Sequence, residues 1–220
     1  MDYLNYRKSV SHKPLEKPQQ ISDANLKIID NFLPEDQFKK IFDSIMGTGM
    51  MWNYNNIVDY DDQDDPKFQF VHLFYTQTNG IVSSLSNILE PFINLLKAQV
   101  LIRVKANLNT RCLKNDRENR YHCDHELVGC KLPDGTLISY TAIYYVNTNN
   151  GYTLFKSGEK VDSVANRIVI FDSSKLHKAV GCTDQKRRVV INFNYLTSAY
   201  SEVDQLVRLK KVCDEAEANA

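Results

Sequence analysis

No single sign of charge dominates this sequence: 27 basic and 27 acidic side chains cancel to a formal net charge of zero. A nucleic-acid partner is therefore not expected, because no global positive field exists to gather one. Cysteine is sparse and unpatterned. Cys112, Cys123, Cys130, Cys182 and Cys213 are odd in number and form no CxxC pair. That argues against a disulfide framework and for a reduced, cytoplasmic setting. Long hydrophobic runs are missing too. The apolar stretches are strand-sized, so no membrane span is expected, and the opening residues contain no signal-peptide core. The aspartate-rich stretch DYDDQDD at 59–65 lacks the glycine and terminal glutamate of an EF-hand loop and reads as a solvated loop.

What is present suits one domain. At 220 residues with 43% hydrophobic side chains, the chain can bury a sizeable core without metal or disulfide staples. Residues 1–23 are polar, carry Pro14 and Pro18, and read as a flexible arm, leaving a single domain over 24–220. Leu26 to Ile29 reads as a short strand. Pro34 then opens a helix whose Phe38, Ile41, Phe42 and Ile45 recur at helical spacing, and Gly47 and Gly49 end it. A second helix is predicted over much of 84–98, kinked or divided at Pro91. From residue 99 the period changes to two. VLIRVKANL, LISYTAIYYV, YTLF, NRIVIF and RRVVINFNY are rich in β-branched and aromatic residues, and Asn150-Gly151 signals a tight turn because both residue types tolerate positive φ. A C-terminal helix is predicted over 201–218. The pattern is helices followed by strands, which predicts a mainly β, antiparallel jelly roll and not alternating βαβ units.

Chemistry concentrates in YHCDHE at 121–126. Loop formers crowd this region and no helical stripe crosses it, so a strand is predicted, with His122 and Asp124 on one face and Cys123 and His125 on the other. A third ligand must come from elsewhere in the chain. His12 lies in the arm, and His72 sits among aromatics in FQFVHLFY, where a packing role is expected. His177 falls between two strands, at the mouth of a barrel. Two imidazoles and one carboxylate make the facial triad of non-haem Fe(II) oxygenases, which leaves coordination positions open for a cosubstrate and O₂. A structural zinc site would instead close all four positions. A 2-oxo acid bound there has a distal carboxylate that needs a cation, and Arg187 and Arg188 open RRVVINFNY. Neighbours in a strand face opposite ways, and alternation groups Arg188 with Val190, Asn192 and Asn194, the more polar set. Lys105 and Asn107 alternate on one face of the strand ahead of the motif and are placed to line the same cavity.

These blocks, in this order, resemble the 2-oxoglutarate/Fe(II)-dependent dioxygenases, most closely the prolyl-4-hydroxylase-like branch. The resemblance spans residues 26–195: IIDNFLPEDQFKKIF, the His-x-Asp of YHCDHE, TAIYYVNTNNGYTLF, the distal histidine of NRIVIFDSSKLHKAV, and RRVVINFNY. It implies a double-stranded β-helix, the jelly roll of that family, in which His122, Asp124 and His177 bind iron and act in catalysis. It implies that Tyr145, the second tyrosine of an IYYLN-like strand, contacts 2-oxoglutarate. It also implies a basic residue nine or ten positions after the distal histidine, which is Lys186 or Arg187, whereas alternation points to Arg188; both arginines stay in play. The expected reaction couples oxidative decarboxylation of 2-oxoglutarate, with O₂, to hydroxylation of a C–H bond in a peptidyl or amino-acid-like substrate. The alternatives are a cupin-like metalloenzyme without 2-oxoglutarate and a non-catalytic jelly-roll module. Segments 50–66 and 107–121 are expected to form a rim or lid. Monomer and homodimer are equally compatible with the sequence.

Overall fold

Alternation along the long strands separates the two faces of one large sheet, and that separation organises the molecule. The computed structural model describes residues 26–56, 67–113, 119–124, 131–132, 135–136 and 138–197. The predicted arm at 1–23, the aspartate-rich stretch at 59–65 and the predicted helix at 201–218 lie outside the described residues. The chain opens with β1 (Leu26–Ile29), α1 (Glu35–Met46), β2 (Asn53–Asn55), β3 (Gln69–Thr76) and β4 (Gly80–Ile81). A 3-10 turn (Ser86–Leu89) and α2 (Glu90–Leu96) lead into β5 (Val100–Thr110) and the short pair β6 (Lys131–Leu132) and β7 (Gly135–Thr136). The remainder is β8 (Ile138–Tyr145), β9 (Tyr152–Phe155), β10 (Lys160–Asp162), β11 (Arg167–Asp172), β12 (His177–Val180) and β13 (Arg187–Thr197). No described helix is long and apolar enough to cross a membrane.

Eight strands form the large sheet, in the order β1-β11-β8-β13-β5-β3-β2 with β4 on β3, and β10-β9-β12 form a small sheet. Every pairing is antiparallel. This is the double-stranded β-helix. On one face of the large sheet, Val104, Ala106, Tyr144, Ile168, Ile191 and Phe193 pack against the stripe Phe38, Ile41, Phe42 and Ile45 of α1 and against Phe92 and Leu96 of α2. The opposite face carries Ile143, Tyr145, Val169, Phe171 and Val190, which meet Phe155 and Val161 of the small sheet. Because the side-chain period of a strand is two, Arg103, Lys105, Asn107 and Asn109 of β5 fall on this second face, as do Arg188, Asn192 and Asn194 of β13. The core thus holds the sheet by its helical side and leaves a polar strip facing inward.

Local chemistry explains the helix boundaries. Pro34 is the N-cap of α1, with Glu35 and Asp36 in the positive first turn, and a Cβ at Gly47 would run into the Asp43 carbonyl at the other end. The predicted second helix is divided: the 3-10 turn ends at Leu89, and α2 begins with Pro91 in its first turn, where a missing N–H costs no hydrogen bond. Lys97 closes α2 in the left-handed region at φ 50°. Asn166, at φ 61°, ties the N-terminal segment to the sheet. Its side chain accepts from Leu33 N and Tyr144 Oη, both at 2.9 Å, and donates to Leu33 O at 2.7 Å. His72 has the structural role expected of it: its ring nitrogens lie 2.7 Å from Met51 O and from Ser83 Oγ, and the ring packs on Phe74.

Candidate metal centre

His177 opens β12 opposite Phe155 of β9, and its buried ring is packed between Phe155 and Phe171, with centroids 5.9 and 4.8 Å away. His122 reaches it through the backbone. The two residues exchange N–H···O bonds of 2.9 Å each, forming a one-residue antiparallel bridge. No strand runs through the described part of YHCDHE: among residues 119–124 only His122 forms a β-bridge, the Asn119 N–H donates to the Ala179 carbonyl, and Asp124 sits in a bend. A bridge followed by a bend, not two-residue alternation, turns Asp124 toward the imidazoles. His125 and Glu126 lie outside the described residues.

One ligand atom from each of His122, Asp124 and His177 lies within 4.8 Å of the others. His122 Nε2 is 3.9 Å from Asp124 Oδ1, and His177 Nε2 is 4.0 Å from Asp124 Oδ2. His177 Nδ1 lies 3.0 Å from the Lys175 carbonyl, a contact that only a protonated Nδ1 makes favourably, so the Nε2 lone pair is turned to the centre. Two imidazoles and one carboxylate suit a divalent first-row metal, and the open side of the cluster faces a cavity. Burial pushes the Asp124 carboxyl up, but His177, His122 and Arg103, with a hydrogen bond from Asn194, together hold it below the usual carboxylate range. Asn194 Nδ2 donates to Asp124 Oδ2 at 3.2 Å, and Arg103 Nε donates to Asn194 Oδ1 at 3.2 Å. The ligand is therefore kept ionised and aimed.

A cavity of about 450 Å³ runs from these three side chains along β5 and β13 to Arg188. Arg188 is 2% exposed, donates from Nε to Ser163 Oγ at 2.9 Å, and lies over the Tyr145 ring. Among the described residues no carboxylate pairs with it. Arg187 points the other way, toward α1, and donates to the Met46 carbonyl at 2.6 Å. Lys186 is exposed. Lys105 and Asn107 both line the cavity, as their alternation implied, and Asn107 Oδ1 is buried there without a hydrogen-bond partner among the described residues. Tyr145 is fully buried behind the wall. Its hydroxyl donates to Thr153 Oγ1 at 2.7 Å, and Thr153 in turn lines the cavity.

Gly151 has a different role from the one its sequence context suggests. Neither Asn150 nor Gly151 adopts positive φ. Asn150 is held instead by Asp184, whose carboxylate accepts from its N–H. At Gly151 an added Cβ would come within 2.8 Å of both Arg188 Cδ and the Val180 carbonyl oxygen. Close approach, not turn geometry, requires the glycine. Gly151→Ala is expected to cost about 1–3 kcal/mol by overpacking, read as a lower midpoint in urea denaturation. An unchanged midpoint would show that the arginine and the backbone yield freely.

Lys105 links the cavity to stability. Burial first and Arg103 second lower its ammonium pKa from 10.5 to about 8, with Asp124 partly opposing both. Below pH 8 both folded and unfolded chains carry this charge, and the folded state bears the cost of burying it. Above 10.5 neither does. Metal-free protein should therefore gain stability as pH rises from about 8 to 10.5, by up to roughly 3 kcal/mol. Lys105→Met should remove that rise and stabilise the metal-free protein at neutral pH. Denaturant midpoints measured across the window check the sign.

Arg103 is the functional candidate that sequence reasoning passed over. It shares the face of Lys105 and Asn107, so alternation extended by one step would have found it. Of the two expected lid segments, residues 119–121 line the cavity and 50–56 do not, while 57–66 and 114–118 lie outside the described residues.

No protein-family model matches the sequence, and neither does any curated protein. Solved structures do match the fold. An oxidoreductase of the 2OG-Fe(II) oxygenase family from Burkholderia pseudomallei superposes with a TM-score of 0.56 at 10% identity, covering 80% of this chain and 87% of that one. A Trichoplax adhaerens prolyl hydroxylase, solved in complex with a peptide fragment of the hypoxia inducible factor oxygen degradation domain, gives 0.52 at 14% identity over 84% and 89%. HygX from Streptomyces hygroscopicus, solved with nickel and 2-oxoglutarate bound, gives 0.51 at 8% identity over 78% and 82%. At such identities the common property is the fold, the double-stranded β-helix of the 2-oxoglutarate/Fe(II) oxygenases.

Proposed function

We propose that this protein is a non-haem Fe(II) dioxygenase that couples the oxidative decarboxylation of 2-oxoglutarate to hydroxylation of a C–H bond. The observation that carries this reading is a pairing within one cavity. A two-histidine, one-carboxylate cluster lies at one end, and a buried guanidinium with no acidic partner among the described residues lies along the same wall. Burying an uncompensated charge is costly, so Arg188 is best explained by an anionic ligand that completes it.

In this reading His122, Asp124 and His177 hold the metal, and Arg188 takes the distal carboxylate of 2-oxoglutarate. Bound Fe(II) and 2-oxoglutarate supply the redox chemistry that activates O₂. The chain supplies position. The Lys175 carbonyl orients His177, Asn194 and Arg103 orient Asp124, and Ser163, Thr153 and the Tyr145 ring hold the Arg188 fork. Tyr145 thus acts on the cosubstrate through Thr153 and Arg188, and Lys105 and Asn107 line the same cavity. The substrate is placed at the open side of the cluster, and a peptidyl or amino-acid-like molecule fits the likeness to prolyl hydroxylases. Anaerobic titration with Fe(II) tests the reading. A visible charge-transfer band is expected only when both Fe(II) and 2-oxoglutarate are present. Tight metal binding with no response to 2-oxoglutarate would point instead to a cupin-like metalloenzyme, and no metal binding at all to a non-catalytic module.

A further inference from the structure

The charge of the cavity differs from that of the chain. The whole sequence is neutral, yet the described cavity lining carries Arg103, Lys105, Arg120 and Arg188 against one carboxylate, Asp124. A divalent metal and a dianionic cosubstrate cancel each other. Resting on the proposed function, and setting aside Arg120, which has an interaction of its own, this leaves a surplus of two positive charges around the described lining when both are bound. Arg188 is assigned to the cosubstrate, and the other cations cluster nearer the metal ligands. Arg103 donates its Nε–H to Asn194, and its NH2 stands 4.0 Å from Asp124 Oδ1, so it spends little of its five-donor fork within the protein. Lys105 lies one alternation step along β5 and makes no hydrogen bond or ion pair among the described residues. Arg120 is exposed at the rim.

Two acceptors accompany these donors. Asn107 Oδ1 and Asn192 Oδ1 are buried, line the cavity and have no hydrogen-bond partner among the described residues. A buried amide oxygen without a donor is destabilising. A ligand that suits this lining therefore brings an oxyanion for the cations and an N–H or O–H for the amides. The blocked, apolar ring of a prolyl residue within a peptide supplies neither.

We infer that the substrate is a small polar acid: a molecule whose carboxylate or phosphate is bound by Arg103 and Lys105 beside the metal, and whose hydroxyl or amine donates to Asn107 or Asn192. The recognition is of an oxyanion, and the two oxyanion sources are separated by experiment.

The test is anaerobic calorimetry on the full chain loaded with Fe(II) and 2-oxoglutarate, using ligand pairs that differ in charge. N-acetyl-L-serine against N-acetyl-L-serinamide probes carboxylate, and glycerol 3-phosphate against glycerol probes phosphate. The charged member of at least one pair is expected to bind more than about tenfold tighter, and the pair that shows it identifies the oxyanion. Arg103→Gln should bring the two members of that pair within about twofold. The charge-transfer band, recorded on each sample, reports whether metal and cosubstrate are still assembled. Because Arg103 adjoins Asp124, Arg120→Gln serves as a second variant at an exposed site, and a partial loss of the same preference is expected. If the band forms and both pairs bind without preference for charge, or if an end-blocked, uncharged proline peptide outcompetes every acid, this inference is overturned while the proposed function stands. If wild-type protein gives no band with Fe(II) and 2-oxoglutarate, the proposed function fails first and takes this inference with it.

Discussion

Asp124→Ala and His177→Ala are each expected to weaken Fe(II) binding by more than the roughly 10–100-fold that loss of an outer-shell partner costs, and to abolish 2-oxoglutarate turnover, while the fold survives. Three donors converge within 4.8 Å, and a triad deprived of one no longer defines a face of an octahedron. Asp124 contributes the only anionic ligand and is held ionised by its neighbours, so its removal deletes the charge that balances the metal. The fold should persist because the apolar clusters that join the large sheet to the helices and to the small sheet stay in place, with His177→Ala leaving a gap only beside Phe155 and Phe171. His122→Ala should behave alike, since its backbone bridge to His177 needs no side chain. Metal content after anaerobic dialysis, with far-ultraviolet circular dichroism as the folding control, decides the matter. A variant that retains stoichiometric iron and full succinate production would remove its residue from the centre.

Arg188→Ala is expected to weaken 2-oxoglutarate binding by about 2–5 kcal/mol, the order seen when a buried ion pair loses one partner. Arg187→Ala should leave that affinity unchanged. Its guanidinium donates to the Met46 carbonyl at the end of α1, on the opposite face of the sheet. Its loss should therefore appear in stability, at about 1.5–3 kcal/mol for a hydrogen bond from a charged group. The two neighbours thus predict a crossed result: affinity falls in one variant and the denaturation midpoint in the other. Equal, small effects on 2-oxoglutarate affinity would place the cosubstrate anchor elsewhere, and Lys105 would be the next residue to replace.

The doublet also shows what a local reading can resolve. Period-two alternation groups Arg188 with Val190, Asn192 and Asn194, and the structure sets that group against the cavity and the small sheet. Counting residues from the distal histidine points instead to Lys186 or Arg187, and the structure puts neither in the cavity lining. Alternation is a stereochemical property of any strand, whereas a residue count across a loop varies with the length of that loop. The turn at Asn150-Gly151 fails for a related reason. Composition suggested a backbone conformation, but Gly151 answers to Arg188 and Val180, which are distant in sequence and invisible to a dipeptide rule.

The sequence by itself determined which side chains share a face in α1, β5 and β13, although the strand expected through YHCDHE did not form among its described residues. The 3.6-residue stripe of α1 and the two-residue alternation of β5 and β13 are enforced by bond geometry within each segment. Those periods already separate the apolar side of the large sheet from its polar strip. The tertiary structure decided how distant segments meet. His122 reaches His177 by one backbone bridge, Asp124 turns inward from a bend, and Arg103 grips Asn194, which grips Asp124. None of these contacts repeats with a period. The meeting of His122 with His177 depends on the closing of the small sheet over the large one, a packing event whose free energy comes from apolar side chains elsewhere in the chain.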